Sequence, residues 1–355
     1  MSPPPRKIMS TFIFIVSCCV LLATRCGSSF SLYINDTSSS TSAESVASGV
    51  HVLGKYYYTN ETSESGFDLS NHRVGDVVQD NSEYEIRLLQ SAEELEDPLS
   101  VRYPLWMKLA KSSPPWKLMK DFWFLNHLSD RDIAPQPIVL LNDDWELGIV
   151  MKSYSDEGFL NCDSPMSMKR SVEYGIRMIK ILNELYEAGV VHGNVRVDNF
   201  ILTEEDGLRI ANFERARFIG EKEEHNWPAT LWNFEPIPSS RKETTFRDDL
   251  FGAVMSIAAL MNGHRYTEIM QGRMYDGTWQ DMIESPPTSG ESLFWALELP
   301  HPLDSPAIGE FTKVDIQRAL ISIQSCVLHI TPDDDMSSVY GAIMGKLQYI
   351  SILLE

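Results

Sequence analysis

From Ser171 to Gly263 the chain carries several kinds of signal in an order that few folds accommodate. Val172, Ile176, Ile179, Leu182, Leu185 and Tyr186 recur at the spacing of one helix face and lead to Gly189, a reasonable helix stop. The apolar pair Val190-Val191 and the polar run His192–Asn199 come next. Phe200–Thr203 and Leu208–Ala211 then flank Glu204-Glu205-Asp206-Gly207, whose Asp-Gly step suits a hairpin turn. Asn212-Phe213-Glu214 closes the hairpin, so polar motifs sit on either side of it. Downstream, Asp248-Asp249-Leu250 opens an apolar helical run, Asp249–Met261, that ends at Gly263.

The preceding part reads as mostly β. Glu83–Leu89 and Tyr103–Leu109 are strand-like, joined by an acidic connection over Ser91–Asp97. Ser112-Ser113-Pro114-Pro115 introduces a helix over Trp116–Leu128, with Trp116, Met119, Phe122, Trp123 and Leu125 at helical spacing. Ile138–Leu141 and Glu146–Met151 flank Asn142-Asp143-Asp144 as strand, turn and strand. Ser164-Pro165 is the expected start of the long helix, with Ser164 as N-cap. Val314–Leu328 and Ser337–Leu354 carry the last helical patterns, and no internal repeat is visible.

Near the beginning, Arg6 and Lys7 precede an apolar run from about Thr11 to Ala23, short for a membrane span of roughly 20 residues. Small residues follow around Cys26-Gly27-Ser28, so residues 1–28 are predicted to be a secretory signal peptide, with an uncleaved anchor as the alternative. Residues 36–49 are rich in Ser, Thr, Ala, Asp and Glu, and 29–70 is expected to be a poorly ordered leader. Secretion leaves Cys162 and Cys326 for the folded part, either as one disulfide or as two thiols. Asn35-Asp36-Thr37 and Asn60-Glu61-Thr62 are glycosylation acceptor patterns. A formal charge of −20 argues against nucleic acid or an anionic membrane as the main partner.

His192-Gly193-Asn194-Val195-Arg196-Val197-Asp198-Asn199, followed by Asn212-Phe213-Glu214, resembles the catalytic centre of the protein kinase superfamily. In the kinase signature H-R-D-x-x-x-x-N, the catalytic Asp stands five residues before the metal-binding Asn. Asn194 and Asn199 keep that spacing. The resemblance covers roughly residues 75–350 and implies an α+β, two-lobed fold. It pairs a small, mostly β N-lobe over 71–151 with a larger helical C-lobe over 152–355.

Carried onto this chain, the family's roles fall on altered residues. Asn194 stands where the general base would be, and an amide does not take up a proton at physiological pH. Asn212 replaces the metal-binding aspartate, and one neutral carbonyl is a poor exchange for a charged oxygen on Mg²⁺. Glu214 replaces a glycine and would either lie over the phosphate site or stand in as a metal ligand. Gly193 replaces an arginine that pairs with an activation-loop phosphate. Arg196 fits the loop cation that contacts phosphate, Asn199 the metal-loop asparagine, and Asp249 the aspartate that braces the loop from below, while His192 is expected to be structural.

In the first lobe Gly54, Gly66 and Gly75 are isolated, so no phosphate-cradling glycine loop is evident. Lys108 is the choice for the nucleotide lysine with Asp121 as its acidic partner, and Arg87 competes for that role. Met151-Lys152-Ser153-Tyr154 reads as the hinge, with Met151 guarding the back of the pocket. Residues 231–236 occupy the usual place of the substrate loop.

The secretory signal, the missing glycine loop and Val191-His192-Gly193-Asn194 together resemble the rhoptry-type kinases and pseudokinases of apicomplexan parasites, in the branch lacking a glycine loop. That resemblance implies export to a parasitophorous vacuole or cyst wall and a scaffolding or regulatory role. The expected function is a secreted pseudokinase that binds protein partners, without a metal, and with metal-free ATP as an open option. The alternative is an atypical nucleotide-dependent transferase that recruits Glu214 or Asp198 for metal.

Overall fold

The computed structural model describes residues 51–53, 56–58, 72–91, 105–111, 115–142, 147–154, 158–203, 207–220, 245–276, 293–294, 302–303, 308–331 and 333–355. The apolar run at 11–23, the acceptor triplets at Asn35 and Asn60, and residues 231–236 lie outside them. The chain divides into two compact units: residues 1–129 with 136–153, and residues 130–135 with 154–355.

The first unit is built on an antiparallel sheet. In chain order its strands are β1 (His51–Leu53), β2 (Tyr56–Tyr58), β3 (His72–Asp80), β4 (Tyr84–Ser91), β5 (Leu105–Ala110), β6 (Pro137–Asn142) and β7 (Leu147–Lys152). They lie side by side as β1-β2-β6-β7-β5-β4-β3. Position in that order explains composition. The central strands β5, β6 and β7 bury residues on both faces, and their sequences read LWMKLA, PIVLLN and LGIVMK. Edge strand β3, HRVGDVVQD, is largely exposed, so its polar alternation carried little strand signal. Leu89, Met107, Ile138, Val139, Leu141 and Val150 form the core, and Leu105 and Leu109 pack against it. Helix α1 (Pro115–His127) packs on β6 and β7 and buries Leu118, Phe122 and Leu125.

One difference from the sequence reading concerns backbone pairing. β1 and β2 lie inside the stretch 29–70 expected to be a poorly ordered leader. Tyr56, Tyr57 and Tyr58 pair with Leu141, Leu140 and Val139, so the sheet supplies hydrogen bonds that composition alone does not register. The β3–β4 turn is held by an asparagine: Asn81 Oδ1 accepts from the backbone N–H of Glu83 at 2.8 Å and of Tyr84 at 2.9 Å.

The second unit is mainly helical. Helix α2 (Met168–Glu187) is followed by β8 (Val190–Val191), a 3₁₀ turn over Val197–Asn199, β9 (Phe200–Leu202), β10 (Leu208–Ile210), a 3₁₀ turn over Phe213–Arg215 and β11 (Arg217–Phe218). Helices α3 (Phe246–Asn262), α4 (His264–Asp276), α5 (Glu310–Leu328) and α6 (Met336–Leu353) complete it. α2 buries Val172, Ile179, Leu182 and Leu185 and packs on α3 and α6.

The N-cap of α2 is Ser167, whose side chain accepts from Arg170 N–H, and not Ser164. The residues before it are held elsewhere: Met166 N–H donates to Leu260 O at 2.7 Å, and Pro165 lies against Gly263 at the end of α3. A second correction concerns the cysteines. Cys162 and Cys326 are free thiols, not a disulfide. Cys162 precedes α2 beside α3 and α4, whereas Cys326 rides on α5, and bridging depends on a Cα separation that counting cysteines in the sequence does not supply.

Candidate functional site

In the second unit, the segment His192–Asn199 is braced by an aspartate buried on α3. Asp249 Oδ2 accepts from His192 N–H at 2.7 Å and Oδ1 from Gly193 N–H at 2.8 Å. Burial pushes this carboxyl up to about 7, although the two amide donors and nearby Arg217 act in the opposite direction. Thr245 and Asp248 form a capping box that starts α3 and thereby sets where Asp249 points.

His192 is fully buried and its ring is used twice. Nδ1 accepts from Asn194 N–H at 3.2 Å, so Nε2 carries the proton donated to Ala211 O at 2.9 Å. Phe213 meets the ring edge to face with centroids 4.8 Å apart. His192 therefore couples the loop to the strand end that precedes Asn212. Gly193 turns at φ 74°, and a Cβ there would stand 2.9 Å from Arg215 O. Gly252 is constrained in the same way, because a Cβ on it would approach Val195 O at 2.5 Å.

The Asn212 and Asn199 side chains and the Asn194 backbone carbonyl form a run of two hydrogen bonds. Asn212 Nδ2 donates to Asn199 Oδ1 at 2.6 Å, and Asn199 Nδ2 donates to the backbone carbonyl of Asn194 at 2.7 Å. Among the described residues Asn212 is the non-glycine residue at positive φ, 68°, a conformation asparagine tolerates. The Asn199 oxygen that the resemblance assigns to a metal thus points at an N–H donor. Arg196 is engaged by Asp198 through both Nε and Nη2, which occupies the loop cation and the alternative metal ligand together. Glu214 is buried, at 5% exposure. Among the described residues no group of three or more His, Cys, Asp or Glu could hold a metal ion. This donor set does not fit Mg²⁺, which favours charged oxygens.

In the first unit, Lys108 on β5 and Asp121 on α1 are both buried, and Nζ donates to Asp121 Oδ2 at 2.7 Å. Lys108 Nζ also lies 4.0 Å from the centroid of the Tyr84 ring. The competing choice, Arg87, pairs with Glu85 on its own strand nearer the surface. Met151 is buried on β7, opposite Trp106. The division between the units falls after Ser153. Sequence reasoning missed Tyr84 and Asn81; of these, Asn81 carried a signal, as an asparagine able to close a turn between two strand runs.

No family model matches the chain. Over 125 residues it is 39% identical to a protein described as a probable cell division protein kinase of Encephalitozoon cuniculi (strain GB-M1). The match covers 34% of this chain and 38% of that protein, so the chain spans well under half the length of the curated relative. The chain is therefore similar to a protein kinase over about a third of its length, and its architecture is a mixed α+β one.

Proposed function

We propose that this chain is a two-lobed, kinase-like pseudokinase that acts by binding protein partners and does not transfer phosphate. The observation that carries this reading is the amide chain Asn212–Asn199–Asn194. Phosphoryl transfer needs a carboxylate to receive the acceptor's proton and another to hold magnesium on the nucleotide. Asn194 and Asn212 offer neither, and the hydrogen bonds leave the Asn199 oxygen satisfied without a metal. Loss of general-base assistance alone costs typically about 10²–10⁴-fold. The β3–β4 hairpin supports the same reading. Where a glycine loop would present backbone N–H groups to phosphate, the Glu83 and Tyr84 amides are bound by Asn81. The braced frame around Asp249 and His192 is consistent with a fold retained for contacts.

The reading extends to secretion of the mature chain after removal of residues 1–28, on the strength of the apolar run near the start. A rhoptry-type relationship and export to a vacuole or cyst wall rest on the Val191–Asn194 motif and the absent glycine loop. Purified protein incubated with labelled ATP and Mg²⁺ or Mn²⁺ should transfer no phosphate to itself or to generic acceptors. Turnover that disappears in Lys108→Ala or Asn199→Ala overturns the reading.

A second reading is favoured by one observation, the buried Lys108–Asp121 pair. It keeps the cation that the resemblance assigns to nucleotide phosphates, so ATP could bind without metal and stabilise the fold. A rise in melting temperature with ATP that needs no divalent ion distinguishes this case from a pure scaffold. A strictly metal-dependent rise points instead to the atypical transferase using Glu214 or Asp198.

A further inference from the structure

Among the described residues eight large apolar side chains are exposed, and five of them stand on α5 and α6. They are Phe311, Val314 and Ile321 on α5, with Tyr349 and Ile352 on α6. Phe311 is 91% exposed and Ile352 66%. The stacking of the helices explains the clustering: α6 lies on α2, α5 lies on α3, and α5 and α6 pack side by side as an outer layer of the second unit. Their inner faces already fill the core, through Ile316, Leu320 and Ile323 on α5 and Ile343, Leu347 and Ile350 on α6. The outer apolar residues add nothing to that core. Single exposed apolar residues need no explanation, but a patch on two adjoining helices does.

Charge narrows what can cover it. The chain holds 50 Asp and Glu residues, yet none falls within Met336–Leu353. At a net charge of −20, two copies repel wherever acids meet, and the α6 face lets them approach without that penalty. Asp333, Asp334 and Asp335 precede α6 and Glu355 follows it, so the acids stand at its ends.

Shape narrows it further. Along the exposed side of α6, Ser338, Gly341 and Ala342 make a small half, and Gln348, Tyr349 and Ile352 a large one, on either side of Gly345. A Cβ added at Gly341 or Gly345 would meet nothing within 4 Å, so no neighbour inside the fold requires glycine there, and each glycine weakens the helix relative to alanine. Ser338 and Ile352 are equally far from Gly345, as are Gly341 and Tyr349, and Ala342 and Gln348. An antiparallel copy of α6 crossing at Gly345 therefore sets each small half against the other's large half. A two-fold axis makes the face complementary to itself. The two-helix face measures roughly 27 Å by roughly 20 Å, about 500 Å² in projection, against about 800 Å² per partner in a standard interface. That is the scale of a weak, reversible dimer.

We propose that the outer face of α5 and α6 joins two copies of this chain as a two-fold symmetric dimer, with α6 crossing its counterpart antiparallel at Gly345. Phe311, Val314 and Ile321 extend the apolar contact beside the crossing. Repulsion between the acidic ends opposes association and is screened by salt. The dimer does not depend on whether the chain transfers phosphate.

Sedimentation velocity of the full chain from about 5 to about 200 μM, in about 50 and about 500 mM NaCl, tests this. A monomer–dimer equilibrium is expected, tightened by the higher salt. Ile352→Glu brings an acid into the contact and should weaken the dimer at least about tenfold. Gly345→Leu enters open space in a single copy and improves helix propensity, so melting of dilute protein should hold or rise while the dimer is lost. Under mild oxidation Gly345→Cys should cross-link to its own copy and Ser338→Cys should not, because a disulfide needs Cα atoms within about 7 Å. A monomer throughout, association that Ile352→Glu and Gly345→Leu leave unchanged, loosening by salt, or cross-linking of Ser338→Cys in preference to Gly345→Cys overturns the proposal. None of these outcomes touches the inert-fold reading, whereas phosphate turnover by an intact dimer overturns that reading alone.

Discussion

Replacing Asn212 by Asp restores the residue type that the resemblance assigns to metal binding, yet it should destabilise this protein when no divalent ion is present. Asn212 Nδ2 donates to Asn199 Oδ1 at 2.6 Å, and a carboxylate in its place would set oxygen against oxygen. Asn199 cannot reverse its amide without giving up its 2.7 Å bond to the Asn194 carbonyl. Losing the neutral hydrogen bond costs about 0.5–1.5 kcal/mol, and leaving a buried acceptor unmet adds about 1–3 kcal/mol. The sum is on the order of 3 kcal/mol. At about 2–4 °C per kcal/mol for a unit of this size, melting should fall by roughly 6–12 °C.

The sign with pH follows from the same contact. Burial and the facing oxygen raise the folded pKa of the introduced carboxyl above the unfolded value of about 3.9. Its protonated form can donate to Asn199 Oδ1, so the deficit should be small below about pH 4 and grow as pH rises through the folded pKa. Asn212→Ala, lacking a titrating group, should lose stability without that slope. Melting curves by circular dichroism from pH 4 to 8, with and without Mn²⁺, test this, with recovery by metal expected for Asn212→Asp. Unchanged melting of that variant at pH 8 without metal would refute the Asn212–Asn199 hydrogen bond and the reasoning built on it.

Three further outcomes follow from particular contacts. Lys108→Met should cost about 3–5 kcal/mol in urea unfolding by stranding Asp121, and Lys108→Met with Asp121→Leu should regain most of it; a double-variant loss equal to the sum of the Lys108→Met and Asp121→Leu losses would show the pair to be uncoupled. Gly193→Arg, which restores the usual kinase residue, should destabilise by about 1–3 kcal/mol or more, since φ is 74° and Arg215 O is 2.9 Å from the added Cβ; an unchanged unfolding midpoint would contradict the described turn. Burial lifts Asp249 to about 7, above its unfolded value of about 3.9, so its proton-linked contribution is complete below about pH 4 and is lost as pH rises through 7. That contribution is roughly 4 kcal/mol, and Asp249→Asn should flatten the stability profile over this window; parallel profiles for the two proteins would count against it.

How much was legible in the sequence depended on how each residue acts. Lys108 and Asp121 could be nominated because a strand end and a helix of opposite charge were both visible, but their burial, and the surface placement of Arg87, could not. Ser164 was a sound N-cap by local chemistry, and Ser167 prevailed because Met166 and Pro165 are held by the end of α3, far along the chain. β3 escaped notice since an edge strand needs no apolar alternation, only a neighbour to pair with. The expected disulfide, weighed in the sequence against two thiols, gave way to free Cys162 and Cys326, because counting cysteines is blind to where α5 puts Cys326.

Residue type and spacing by themselves determined which chemical groups this chain has at Asn194 and Asn212: amides, where a phosphoryl-transfer centre needs carboxylates, while Asn199 keeps the residue type of the signature. That is a matter of composition at fixed intervals, and no packing alters it. Tertiary structure decided what those amides do instead. Hydrogen bonds are short and directional, so only the packing of the β9–β10 hairpin against the braced loop brings Asn212 within 2.6 Å of Asn199.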